Sequence, residues 1–246
     1  MSSEGLKFTK AYTSKLTRAQ QTLKISMEAS GQAPSTVEDY RLNERHYGAL
    51  QGLDKQQVSS NECFTHTLSP CKGSRGRRSS HARAPPPKIT QTVDKFGKDQ
   101  VLIWRRSYDI PPPECDSDSP EWPGNDPAYS DVEPSLLPFS ESLKTTAERF
   151  MPLWTDVIIP EIKSGQQLII AAHGNTLRAL VMHLDSIPTD VITGLNIPTG
   201  VPLVYELDED MKPVKSEMAI EPLSGRYLGD QEEIMKRIGA VAAQTK

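Results

Sequence analysis

The chain has 246 residues, of which 36% are hydrophobic and 24% are charged, and its formal net charge is −4. This length fits one large domain or two small ones, and the net negative charge excludes a nucleic-acid binder that is basic overall. No stretch approaches the roughly 18 consecutive apolar residues of a membrane helix, and residues 1–10 lack the apolar core of a signal peptide. We therefore predict a cytoplasmic protein. Three cysteines without a Cys-x-x-Cys pair predict neither a disulfide framework nor a zinc site.

The first predicted element is a helix over residues 16–29. Its apolar side chains recur at the spacing of one helical face, at Leu16, Ala19, Leu23 and Met27. Further along, residues 111–138 are rich in Pro, Asp and Ser, a composition that predicts a loop. Residues 147–159 then predict a second helix, which Pro152 interrupts near its start.

Residues 58–91 differ in composition from the parts of the chain before and after them. They carry six basic residues against one acid and show almost no apolar periodicity. Because such a segment buries too little apolar surface to offset the entropy of ordering, we predict a disordered insertion between residues 1–57 and 92–246 of one domain. Two alternatives stay open. One is a basic arm that contacts nucleic acid, which we rank last because aromatic residues are scarce there; the other is an intron read through in frame.

The strongest structural signal lies in residues 167–184. Residues 168–172 are wholly apolar, which is typical of a buried parallel strand, and residues 176–184 predict an amphipathic helix. A strand, a turn and a helix in this order predict an α/β architecture. Residues 202–207 predict a further strand, with a turn at 208–210. The last predicted element is a helix over residues 230–243, with Asp230 as its N-cap.

His173 is a candidate functional residue because it follows the predicted buried strand, where open α/β sheets place their ligands. Gly174 would let a ligand approach the backbone closely, and the free N–H groups of the next helix would face an anion there. Asn175 would add a side-chain amide. A core histidine satisfied by a backbone carbonyl explains the same local pattern equally well.

Residues 41–48, RLNERHYG, form a second group of candidates. Glu44 offers a carboxylate as proton donor or acceptor, Arg45 a planar partner for phosphate or carboxylate, and Tyr47 a hydroxyl. A solvated, salt-bridged surface is the competing interpretation. Four arginines from three stretches of chain could together surround a substrate with several negative charges: Arg18, Arg45, Arg105 and Arg106.

Five longer motifs closely resemble the cofactor-dependent phosphoglycerate mutases of the histidine phosphatase superfamily. They are RLNERHYGALQGLDK (41–55), IWRRSYDIPPP (103–113), ESLKTT (141–146), IIAAHGNTLRAL (169–180) and LNIPTGVPLVYELDEDMKP (195–213). The resemblance implies an α/β fold, a three-layer sandwich with a mostly parallel sheet. It also implies interconversion of 3-phosphoglycerate and 2-phosphoglycerate through a phosphohistidine, priming by 2,3-bisphosphoglycerate, and no metal.

The same resemblance assigns roles and partners. By motif position, Glu44 is implied to be the proton donor and acceptor, and His173 the second active-site histidine, which stabilises the transferring phosphoryl group. Ligands of the substrate's phosphate and carboxylate are implied at Arg18, Arg45, Tyr47, Lys55, Arg105, Arg106, Gly174 and Asn175. The implied partners are small-molecule phosphoglycerates and further copies of the chain in a homo-oligomer; we expect no membrane partner.

The chain departs from the family at the residue that becomes phosphorylated. The family's first strand ends in an Arg-His-Gly motif whose histidine is the nucleophile, and these 246 residues contain no such motif. We therefore expect the first strand of the fold to be missing and mutase activity to be absent or impaired. The alternative is a non-catalytic remnant of the fold that binds phosphosugars or a protein.

Overall fold

The structure is a computed structural model that describes residues 4–51 and 96–243. Lys55 and the predicted insertion, residues 58–91, lie outside the described residues. In chain order the elements are β1 (Lys10–Thr13), α1 (Thr17–Ser30), β2 (Ser35–Glu38), α2 (Lys98–Arg106), α3 (Leu143–Leu153), a π turn (Trp154–Ile158), α4 (Ile159–Lys163), β3 (Leu168–Ala171), α5 (Gly174–Leu184), α6 (Thr189–Ile192), β4 (Leu203–Val204), β5 (Glu206–Leu207), β6 (Pro213–Val214), β7 (Arg226–Tyr227) and α7 (Gln231–Ala243).

The main sheet has three parallel strands in the order β2–β1–β3. Lys10 is in register with Ser35 on one side and with Leu168 on the other. This pairing confirms the α/β architecture with a parallel sheet and the parallel strand predicted after Gly165. The expectation of full burial was wrong, because every side chain of β3 is half-buried. Among the described strands β3 pairs with β1 alone, so it lies at an edge of the sheet.

Helices pack on both faces of this sheet. On one face, Ala11 of β1 belongs to the same buried cluster as Leu23 and Met27 of α1. On the other, Tyr12 belongs to the cluster that contains Phe150 of α3. Neighbouring residues of a strand point to opposite faces. Because β1 is covered on both sides, its neighbouring residues Ala11 and Tyr12 are both fully buried.

The helix predicted over residues 147–159 begins earlier and does not end at its proline. Ser142 caps α3: its hydroxyl accepts a hydrogen bond from Thr145 N, and Thr145 Oγ1 accepts one from Ser142 N. Pro152 removes one hydrogen bond of the helical ladder. The helix persists because Phe150 and Leu153, each 1% exposed, are packed into the core on either side of it. The π turn and α4 then continue the chain.

Two other predictions agree with the structure, with small differences. The helix predicted over residues 16–29 begins at Thr17, so Leu16 is its N-cap, and Ala19, Leu23 and Met27 are buried as their spacing predicted. Residues 111–138 are mainly irregular, as predicted, with three 3₁₀ turns, at Pro123–Asn125, Pro127–Tyr129 and Pro134–Leu136.

The strand predicted over residues 202–207 consists of two short strands. β4 pairs with β7 and β5 with β6, both antiparallel. The two strands separate at Tyr205, whose hydroxyl donates to Asp185 Oδ2 at 2.5 Å. The C-terminal helix agrees with its prediction: Asp230 Oδ1 accepts hydrogen bonds from Glu232 N and Glu233 N at the start of α7.

Candidate active site

His173 is the N-cap of α5, which begins at Gly174, two residues before its predicted start. The side chain is buried, and both ring nitrogens have partners. Arg18 Nε donates to Nδ1 at 3.0 Å, and Nε2 lies 2.8 Å from Ser14 Oγ. Arginine only donates, so Nδ1 carries no proton and Nε2–H must donate to Ser14. These contacts therefore select one tautomer of the neutral imidazole.

The imidazole of His173 is held in its neutral form. The pKa of His173 is lowered from 6.5 to about 4, mainly by burial; the Glu44 carboxylate acts in the opposite direction, and the positive charges of Arg18 and Arg149 add to the decrease. His173 is therefore uncharged at neutral pH in the absence of a ligand.

Glu44 lies directly opposite the start of α5. Its Oε1 accepts hydrogen bonds from Arg45 N at 2.9 Å, from Asn175 N at 3.2 Å and from Asn175 Nδ2 at 3.0 Å. Asn175 Nδ2 also donates to Tyr47 Oη at 3.1 Å. Asn175 N is one of the backbone N–H groups that the first turn of a helix leaves unpaired. One of the N–H groups that were expected to face an external anion therefore binds the Glu44 carboxylate instead.

Arg178, one turn further along α5, holds Asn175 in this orientation. Its Nη1 donates to Asn175 Oδ1 at 3.3 Å, and its Nε donates to Leu195 O at 2.7 Å. Because a guanidinium only donates, the amide group of Asn175 must face Glu44 and Tyr47. Burial lowers the pKa of Arg178. The sequence analysis missed this residue, although it lies three positions after Asn175 and so on the same side of the helix.

Arg45 is 2% exposed, although it carries a charge. Its guanidinium lies over the ring of Tyr47, 4.4 Å from the centroid, and Nη2 donates to Arg105 O at 3.3 Å. Its Nε is buried and has no hydrogen-bond partner among the described residues. An unsatisfied buried donor is unfavourable, more so on a charged group. This arrangement is suited to an anion that would accept from Arg45.

Arg105 and Arg106 are the last two residues of α2. Arg105 is exposed and Arg106 half-buried, consistent with the expectation that adjacent arginines point to different sides of a helix. Arg105 joins the cluster through its carbonyl oxygen, which accepts from Arg45. Arg106 is close enough for its charge to lower the pKa of Arg178. These two positions therefore lie beside the cluster.

Two glycines have contrasting surroundings. Gly48 has a φ of +55°, and a Cβ added there would lie 2.0 Å from Pro113 O, so only glycine fits the turn that ends residues 41–48. At Gly174 an added Cβ would meet nothing within 4 Å. The space next to His173 is therefore open, as an approaching ligand requires.

The structure thus brings most of the predicted residues into one neighbourhood. Arg18 contacts His173, and Glu44, Arg45, Tyr47 and Asn175 are linked by contacts among themselves. The charge of Glu44 acts on the pKa of His173, so the two groups lie close to each other. Sequence reasoning missed Ser14 and Arg178, which hold His173 and Asn175, and also Glu141 and Arg149, whose contacts are described below. In residues 4–51 and 96–243 there is no group of three or more His, Cys, Asp or Glu arranged to bind a metal ion. Within the same ranges, no helix has the length and apolar character needed to cross a bilayer.

Three of the solved structures similar to this chain are mycobacterial proteins. Mycobacterial hydrolase 2 is 17% identical with a TM-score of 0.49, covering 96% of this chain and 78% of that one. Mycobacterial glucosyl-3-phosphoglycerate phosphatase is 17% identical with a TM-score of 0.47, covering 91% and 76%. Mycobacterial hydrolase 1 is 19% identical with a TM-score of 0.45; the match covers 77% of this chain but only 64%, less than two thirds, of that one.

A family model gives the more direct assignment. The model of the histidine phosphatase superfamily (branch 1) matches residues 2–76. The matched part contains Arg18, Glu44, Arg45 and Tyr47, and it extends into the segment that we predict to be an insertion. Residues 2–76, which supply one half of the cluster around His173, are therefore similar to the histidine phosphatase superfamily.

Proposed function

We propose that this chain derives from the 2,3-bisphosphoglycerate-dependent phosphoglycerate mutases and binds 3-phosphoglycerate and 2-phosphoglycerate in the cluster around His173 and Arg45. The observation that carries the proposal is the buried guanidinium of Arg45, whose Nε has no partner among the described residues. A phosphate or carboxylate oxygen would supply the missing acceptor, and hydrogen bonds between ionised groups are the strong ones.

The balance of charge supports a ligand with several negative charges. Arg18, Arg45 and Arg178 lie in or against the cluster, and the carboxylate in contact with it is that of Glu44. A partly buried site with an excess of positive charge attracts polyanions. Phosphoglycerates carry a phosphate and a carboxylate on a three-carbon chain, so two anionic groups could be bound at once.

In this proposal Glu44 is the proton donor and acceptor, and His173 is the group that stabilises phosphate. A ligand phosphate next to His173 would raise the pKa of the imidazole, because a nearby negative charge favours the protonated form. We also propose that Tyr47, Asn175, Arg105, Arg106 and the open space at Gly174 serve the ligand, and that Lys55 does so from outside the described residues. The proposal includes a cytoplasmic location, a homo-oligomer and no metal.

Interconversion through a phosphohistidine is proposed to be absent or strongly impaired in this chain. A nucleophilic imidazole needs a free ring nitrogen, and both nitrogens of His173 are engaged. In His46, Nδ1 accepts from Gly48 N and Nε2 lies 3.0 Å from Glu121 O. His183 is exposed in the last turn of α5. 2,3-Bisphosphoglycerate would supply a phosphoryl group in a competent mutase, and here we propose that the same arginines bind it as another anion.

The edge position of β3 is consistent with the proposal that the family's first strand is missing. β3 pairs with β1 on one side, and its apolar side chains are only half-buried. We propose that the strand carrying the Arg-His-Gly motif belongs on the other side of β3, where its histidine would lie near His173.

A second candidate function is phosphosugar binding without catalysis. It is favoured by the pairing of both ring nitrogens of His173, which leaves the described part of the site able to bind anions while His173 itself is not free to act as a nucleophile. Because both candidates predict binding, only residual mutase turnover would favour the first over the second.

The test is calorimetric titration of the full chain with 3-phosphoglycerate, on a sample whose unfolding is cooperative. We expect binding, and we expect Arg45→Met to weaken it roughly 10- to 100-fold, as for the loss of one or two charge-assisted hydrogen bonds. Arg237→Met is the matched control, because Arg237 is exposed on α7 and paired with Glu233. Absence of binding to the folded wild-type chain would overturn the proposal. Mutase turnover at an ordinary rate with 2,3-bisphosphoglycerate would overturn the part that concerns impairment.

A further inference from the structure

We propose that the buried ion pair of Glu141 and Arg149 is a positioning device that holds Glu44 and Arg45 in the site. The inference rests on the proposed function, since it concerns the same two side chains. Glu141 opens the ESLKTT motif, to which the family resemblance assigns no role in this site.

Arg149 is saturated with acceptors. Nε donates to Glu141 Oε1 at 2.6 Å and Nη2 to Glu141 Oε2 at 3.0 Å. Nη1 donates to the carbonyls of Tyr40 and Arg41 at 3.0 and 2.8 Å, and Nη2 also donates to Asn43 O at 3.1 Å. One guanidinium thus binds three carbonyl groups of the segment that leads into Glu44, and only the planar fork of arginine can do so.

Glu141 holds the chain on the other side of Glu44. Its Oε2 accepts from His46 N at 2.9 Å, and its own backbone N–H donates to His46 O at 2.8 Å. Asn43 O, already bound by Arg149, also accepts from Thr176 Oγ1 of α5 at 2.6 Å. Glu44 and Arg45 are therefore the two residues between one clamp at Asn43 and another at His46.

Stability alone does not account for this pair. The side chains of Arg149 and Glu141 are 7% and 3% exposed, and the desolvation of two buried charges can exceed their attraction, so that apolar replacements are often as stable. An apolar pair, however, offers neither donors for three carbonyls nor an acceptor for the His46 amide. The charged pair therefore has a positional role that packing could not replace.

The device is built on the rigid part of the fold. Glu141 immediately precedes the capping residue Ser142, and Arg149 lies two turns along α3, next to Phe150 in the core. A segment braced on a packed helix holds side chains more precisely than a free loop does. We call this positioning device, the Glu141–Arg149 pair, the brace. We expect any loosening of the brace to displace the Glu44 carboxylate and the Arg45 guanidinium together.

The first test is Glu141→Gln, which replaces one of the two acceptor oxygens by an NH₂ group. This group only donates, so it would face a donor of Arg149 or the N–H of His46 and could not bind it. We expect the dissociation constant for 3-phosphoglycerate to rise roughly 10- to 100-fold, because small displacements in a site have effects of this size, with an unchanged number of sites. Partial unfolding would instead lower the number of sites. Glu148→Gln, the same change at an exposed position of α3, is the control and should bind normally.

A double-mutant cycle separates positioning from a direct contact with the ligand. If Glu141 acts through Arg45, then Glu141→Gln should weaken binding much less in the Arg45→Met background than in the wild type. Full additivity of the two effects would overturn the inference. Should Glu141→Gln fail to fold, Arg149→Lys takes its place, since it keeps the charge but loses the fork that binds the carbonyls.

The second test needs no ligand. Arg45 N–H is bonded to Glu44 Oε1 and His46 N–H to Glu141 Oε2, so hydrogen exchange at these amides reports the brace directly. We expect at least about tenfold faster exchange at both in Glu141→Gln, with unchanged exchange in β1 and in Glu148→Gln. Faster exchange in a chain that binds no phosphoglycerate would leave the brace standing and overturn the proposed function. Unchanged exchange and unchanged binding in a folded variant would overturn the brace.

Discussion

Two buried arginines of this molecule differ in how completely their donors are used. Arg149 donates to both oxygens of Glu141 and to three backbone carbonyls. Arg45 is buried more completely than Arg149, but it stacks on Tyr47, donates to one carbonyl at 3.3 Å and has an Nε without a partner among the described residues. The saturated guanidinium supports the fold, whereas the unsaturated one has binding capacity left for an external anion.

The contrast predicts that the same substitution changes the free energy of unfolding much more at Arg149 than at Arg45. Arg149→Met leaves Glu141 buried without its partner, so we expect a loss of about 3 to 5 kcal/mol in the free energy of unfolding. Arg45→Met removes a cation whose Nε has no acceptor among the described residues and whose one hydrogen bond is long, so we expect a change within about 1 kcal/mol. Urea unfolding monitored by circular dichroism measures both. Equal destabilisation by the two substitutions would contradict the distinction between the two guanidinium groups.

His173 extends the comparison to a buried group that is fully paired but uncharged. Its pKa is about 4 in the folded chain against 6.5 ordinarily, so the unfolded chain binds more protons between these values. The neutral imidazole therefore contributes to the free energy of unfolding. This contribution is complete above pH 6.5 and is lost as the pH falls towards 4, and its total size is of the order of 3 kcal/mol.

The measurement is urea unfolding between pH 4.5 and 7.5, with His173→Gln as the comparison. We expect wild-type stability to fall more steeply than that of the variant as the pH decreases. Parallel curves would show that His173 titrates alike in the folded and unfolded chains, and would remove the argument for a neutral imidazole.

The smallest effect is expected where a cation is exposed. Lys24 lies 3.9 Å from Glu28 on the surface of α1, and both side chains are largely solvated. Because solvent and salt screen such pairs, Lys24→Ala should change the free energy of unfolding by less than about 0.5 kcal/mol. Thermal unfolding at low and high salt measures this change. If Lys24→Ala lowered the stability as much as Arg149→Met does, burial would not explain why the buried Arg149 matters more than the exposed Lys24.

Local signals were sufficient for several parts of the site. His173 follows an apolar strand and begins a helix, and this pattern placed it correctly at the carboxyl end of a parallel strand. Glu44 and Arg45 were found because charged residues are dense around them. In contrast, the interruption that Pro152 suggested does not occur at the proline itself: α3 continues to Leu153, because the packing of its neighbours outweighs one lost hydrogen bond, and the chain changes to a π turn at Trp154.

The sequence by itself determined the α/β architecture and the position of His173 between a strand and a helix, and it led to the hypothesis that several arginines surround an anion. Only the tertiary structure decided which arginines are braces and which have donors to spare. Arg149 reaches carbonyls more than 100 positions away, and Arg18 meets His173 across 155 positions. Periodicity reports which face of an element is apolar, but hydrogen-bond saturation depends on partners that only folding brings together.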